Sequence, residues 1–69
     1  MPPAIQLQPT DTLGEAYGQM ETLGVLELPV VDARRRVLGT IREVDLRRFI
    51  ARHGRIAMFA VTVGALLAA

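Results

Sequence analysis

"ELPVVDARRRVLGTIREVDL", residues 27–46, is the stretch that decides the fold. Two apolar runs flank an acid and three consecutive arginines. The first run, 26–32, reads as a strand, and "RVLGTI", 36–41, reads as its return. Residues 33–35 form the turn, so the pair is an antiparallel hairpin. Pro29 has no N–H and must lie at an edge, or where no ladder bond is needed. The second strand runs directly into a helix over 42–53. Leu46, Phe49, Ile50 and His53 mark its inner face, and Gly54 closes it.

Upstream, "AIQLQ" (4–8) alternates apolar and polar with period two, as a short strand does. "PTDT" (9–12) stops it, and Thr12 or Asp11 can cap the helix that follows. Glu15 stands three residues after Thr12, the spacing of a capping box. Leu13, Ala16, Tyr17, Met20 and Leu23 recur at helical spacing over 13–23, and Gly24 ends that helix. The order is strand, helix, strand, strand, helix. A helix crossover lets the first strand lie parallel to a hairpin strand. The expected fold is α+β: a three-stranded sheet in β-α-β-β-α order, with two helices packed on one face.

The hairpin and its surroundings resemble the core of a CBS domain, the regulatory module named after cystathionine β-synthase. The residues that carry the resemblance are Leu28, Pro29, Val30, Val31 and Asp32, then Gly39, then Asp45 at the start of a helix. "TLGEAYGQMETLG", 12–24, is similar to the family's first helix. The resemblance implies a domain over 4–54 that works in pairs and takes an adenosine-containing ligand. ATP, ADP, AMP and S-adenosylmethionine are the candidates. In this family the residue matching Asp45 bonds ribose hydroxyls, and the Gly39–Arg42 stretch meets phosphate. The base would rest on Ile5, Leu7, Leu28 and Val30, with Pro29 and Thr40 completing the set.

The residues support that chemistry in part. A glycine at 39 admits close backbone approach, and a helix beginning near Arg42 aims free N–H groups at one point, which suits phosphate. Asp45 also suits the helix dipole without any ligand. The family's hydroxyl at position 42 is replaced by Arg, which can grip phosphate by charge. Position 27, often basic in nucleotide binders, is Glu, which repels phosphate or pairs with Arg42. These departures keep a second reading open, a ligand-free dimerisation scaffold. Arg35 replaces a common turn glycine, and a positive φ there costs on the order of 1 kcal/mol. Arg47, Arg48, Arg52 and Arg55 read as a solvent-facing or polar partner surface, and His53 as a complement to the helix C-terminus.

The chain has 69 residues, enough for one thin core. It has no Cys and one His, which excludes disulfides and a structural zinc site. Extra stability is expected from a partner, either a homodimer or a second CBS repeat. A formal charge of +1 gives no global pull toward nucleic acid or anionic membrane. No nucleophile–base set or close carboxylate pair marks an enzyme. Residues 55–69 form an apolar tail, in which "AVTVG" and "ALLAA" echo "AIQLQ" and "LGEA". They read as the opening of a second repeat or as a plain apolar C-terminal element. Ile56–Ala69 is too short for the ~20 apolar residues of a membrane-spanning helix. A cytoplasmic module is expected, meeting membrane only through a parent protein.

Overall fold

In the computed structural model, which describes residues 6–68, the expected caps and turns set the element boundaries. Helix α1 spans Leu13–Leu23. The Thr12 hydroxyl accepts from the Glu15 N–H at 3.1 Å, and the Glu15 carboxylate accepts from the Thr12 N–H at 3.3 Å. This closes the capping box and satisfies donors that a helix start leaves free. Gly24, at φ 68°, ends the helix by donating to the Met20 carbonyl. Strands β1 (Glu27–Val31) and β2 (Val37–Arg42) form the antiparallel hairpin. Asp32 builds the turn by accepting from the Arg34 and Arg36 N–H groups at 2.8 and 3.0 Å. Arg35 takes φ 63°, the left-handed conformation expected where a glycine is usual. Helix α2 (Glu43–His53) follows β2 without a linker.

Among the described residues the sheet has two strands, not the three expected. One rung of the first strand lies among the described residues, and residues 4 and 5 of the expected strand lie outside them. Leu7 bridges Val30 in parallel, donating to the Pro29 carbonyl at 2.8 Å and accepting from the Val31 N–H at 2.9 Å. The next rung on one side needs an N–H from residue 9, and on the other an N–H from residue 29. Both are proline, so each of those two bonds lacks its donor. Pro29 turns its missing N–H away from β2, so its pairing with Thr40 loses nothing.

Leu28, Val30 and Ile41 point to one sheet face and are almost fully buried. They meet Leu13, Ala16 and Met20 of α1 and Leu46 of α2. An irregularity between Val30 and Val31 brings Val31 under cover as well. Each such side chain removed from water contributes about 1.5–3 kcal/mol.

The C-terminal residues complete this core. A short 3₁₀ turn (Ile56–Phe59) and helix α3 (Val63–Ala68) add buried Met58 and Val63. Thr12 and Thr62 form an antiparallel bridge. Leu13 donates to the Val61 carbonyl at 2.9 Å, and Val63 to the Asp11 carbonyl at 2.8 Å. Thr62 caps α3 by accepting from the Ala65 N–H at 3.1 Å, as Thr12 caps α1. The offset that carries Thr12 onto Thr62 thus carries each of these bonds onto its counterpart. Among the described residues no helix is long and apolar enough to cross a membrane.

Candidate functional site at the start of the second helix

An open groove of about 960 Å³ runs along α2, between the end of β2 and α3. Thr40 and Asp45, two of the residues singled out from sequence, line it. Its floor and far wall are apolar, from Ile41, Val61, Leu66 and Leu67. Arg48, Phe49, Arg52 and His53 continue the α2 wall. Phe49 and His53 stack obliquely, with ring centroids 4.7 Å apart.

Arg42 is the N-cap residue of α2 and stands opposite Glu27 in the hairpin register, with no ion pair to it among the described residues. Its guanidinium pairs with Asp45 instead, through Nε and Nη2 contacts of 3.4 and 3.3 Å. The Arg42 N–H also donates to Asp45 at 3.3 Å. One carboxylate therefore caps the helix and holds the arginine that precedes it. Partial burial raises the Asp45 pKa, but the bonds from Arg42 and the charges of Arg42 and Arg48 outweigh it and hold the group below its ordinary value. Arg42 lines a smaller groove of about 420 Å³ instead, with Leu26, Glu27 and Val44. The same groove holds the Glu43–Arg47 ion pair, at 2.6 Å.

The other expected site residues are spread more widely. Gly39 does not end its strand; it sits inside β2 opposite Val30. The group that approaches it closely is the chain's own Leu67, whose Cδ2 would stand 2.9 Å from a Cβ at that position. Leu7, Leu28 and Val30 are core residues, at 0%, 3% and 0% exposure. Pro29 is half-buried, and Ile5 lies outside the described residues. The apolar stripes of α1 and α2 are largely used inside the chain: Leu13, Ala16, Met20 and Leu46 are buried, while Tyr17, Phe49 and Ile50 pack at the core's edge. Sequence reading missed Arg48, Phe49, Arg52 and His53 as groove residues. Their recurrence every three or four positions from Asp45 places them on one helix face, and that spacing was the available signal. The α3 wall had no local signal, because it depends on the tail folding back.

The family model for the CBS domain matches residues 1–52, and the chain belongs to that family. No curated protein matches it. Among solved structures it is similar to a CBS-domain containing protein from Agrobacterium tumefaciens, at 29% identity and a TM-score of 0.80, over 90% of this chain and 46% of that one. It is also similar to a Vibrio cholerae protein assigned to acetoin utilization, AcuB, at 29% identity and a TM-score of 0.73, over 86% and 42%. CBSX2, solved in complex with AMP, shares the fold at 21% identity and a TM-score of 0.65, over 88% and 47%. The chain therefore spans a little under half the length of these structures.

Proposed function

We propose that this CBS domain is a regulatory, non-catalytic module that takes an adenosine-containing ligand of the ATP, ADP or AMP type. Occupancy would pass to a larger protein as a change in how two modules pack. The observation that carries this reading is Asp45. Its carboxylate lies in the first turn of α2, on an open groove beside Thr40, at the family's spacing from Gly39. Ionised, it can accept two ribose hydroxyls. The AMP complex of CBSX2 is consistent with such a ligand. S-adenosylmethionine is the less charged alternative. Leu7, Leu28, Pro29 and Val30, with Ile5, would support the base only if the hairpin edge opens, because three of them are now core.

The partner in this reading is a second repeat, or a second copy forming a homodimer. The matched bonds around Thr12 and Thr62 support the first, with residues 55–69 as its opening. The exposed Leu38, on the uncovered sheet face, is apolar surface for either partner. Such a module would work in the cytoplasm. The ligand-free scaffold has its own support: Arg42 already occupies the carboxylate a ribose would need. Calorimetric titration with ATP, ADP, AMP and S-adenosylmethionine separates the two. Saturable heat with any of them supports sensing, and none at millimolar concentration leaves the scaffold.

A further inference from the structure

The charges along the groove are unbalanced in a particular place. Among the described residues, Arg36, Arg42 and Arg47 each hold a carboxylate: Asp32, Asp45 and Glu43 respectively. Arg48 and Arg52 have no such partner there, and both line the groove. They stand four apart on α2, so their side chains leave the helix as neighbours on one face. Among the described residues the only carboxylate lining the groove is Asp45; Arg42 is bonded to it, and the charge of Arg48 also acts on it. The facing wall, Val61, Leu66 and Leu67, adds no charge. A groove with an apolar wall, an aromatic pair and two guanidinium groups outside any ion pair among the described residues is suited to an anion that carries a ring.

We propose that Arg48 and Arg52 are the anion-recognition subsite of this groove, and that they take the phosphate of a phosphorylated ligand. The inference deepens the sensing reading and rests on it for the identity of the whole ligand. It relocates the phosphate, which the sequence places at Arg42 and the helix N-terminus. Arg42 is bonded to Asp45 and lines the smaller groove, whereas Arg48 and Arg52 line this one. A ligand with its sugar at Asp45 then lies along α2, with its phosphate one to two turns further on. Arg52 and His53 also offset the partial negative charge of the helix C-terminus. Arg48, nearer the middle of the helix, is therefore the stronger arm. Guanidinium forks match phosphate oxygens in pairs, which lysine does not do.

The test uses two probes on the whole chain, AMP and inorganic pyrophosphate, followed by backbone amide shifts. Pyrophosphate should move the amides of Phe49, Ala51 and His53 more than those of Arg42 and Glu43. Arg48→Gln and Arg52→Gln should each weaken pyrophosphate about three- to tenfold, as expected for exposed charge-assisted contacts. The same variants should weaken AMP by a similar factor and leave adenosine unchanged. Arg42→Gln should not weaken pyrophosphate. Exposed side chains make these variants safe for folding, and circular dichroism checks it. If adenosine and AMP fail to bind but pyrophosphate still depends on Arg48 and Arg52, the sensing reading fails and the subsite stands. If AMP binds equally well to both variants, or pyrophosphate moves only the Arg42 region, the subsite is overturned and the sensing reading survives. If neither probe binds, both are overturned.

Discussion

Gly64→Ala tests whether the C-terminal segment is truly docked. In an ordinary exposed helix this change stabilises by up to ~1 kcal/mol, because glycine has more freedom to lose on folding. Here the added Cβ would sit 2.9 Å from the Pro9 carbonyl oxygen and 3.1 Å from the Pro9 Cβ. Backbone lies on both sides of that contact, so neither can swing aside. The Gly64 N–H also donates to that same carbonyl at 3.0 Å, and the clash would stretch the bond. Overpacking of this kind costs ~1–3 kcal/mol, and a weakened hydrogen bond adds ~0.5–1.5 kcal/mol. Against the full helix gain of ~1 kcal/mol, the net loss is about 0.5–3.5 kcal/mol, at roughly 4–8 °C in Tm per kcal/mol for a chain of this size. Gly14→Ala is the internal control. Its Cβ would also collide, but with the ring of Phe59, which is 65% exposed and free to rotate. That variant should be near neutral. Urea and thermal melts of both read the difference. A Gly64→Ala protein that melts higher than the parent would refute the docking of α3 against residues 9–12.

Gly18→Ala should raise stability by ~0.5–1 kcal/mol in the same melts, because α1 gains a better helix former and the added Cβ meets nothing within 4 Å. Arg35→Gly should stabilise by ~0.5–1 kcal/mol, since it relieves the left-handed backbone at φ 63°; a urea midpoint that falls would contradict this. Acid should destabilise through two carboxylates. The Arg36 backbone N–H, above all, holds the Asp32 pKa below its ordinary value, and the bonds from Arg42 hold Asp45 low despite its partial burial. A group whose folded pKa is depressed adds stability in full above its unfolded value, near ~3.9, and loses it as pH falls through the folded value. Urea midpoints between about pH 6 and pH 2 should therefore drop, and Asp45→Asn should flatten part of the drop.

The helices and the hairpin were legible because each carries its own local signal. Thr12 with Glu15 fixes the start of α1, Gly24 its end, and the Asp32–Arg36 turn joins strands of the expected kind. Among the described residues the expected third strand is present only as the Leu7–Val30 bridge. Period-two alternation in "AIQLQ" is a statement about side chains, while a ladder needs backbone donors, and Pro9 and Pro29 remove them. Gly39 meets a close neighbour, but that group, Leu67, is distant in sequence. The candidate site was half legible. Asp45 followed from spacing, but the choice of Arg42 between Glu27 and Asp45 is a matter of side-chain rotamer. The division of the α2 arginines between paired Arg47 and unpartnered Arg48 and Arg52 depends on where carboxylates and α3 lie in space.

Asp45 is the point on which the sensing account turns. Isothermal titration of AMP into the chain and into Asp45→Ala, with both shown folded by circular dichroism, tests it most directly. The account predicts saturable binding that weakens about 10–100-fold in the variant, the usual loss when hydrogen bonds to a charged group are removed. Equal affinity for the two proteins, or no binding to the parent chain at millimolar AMP, would contradict it.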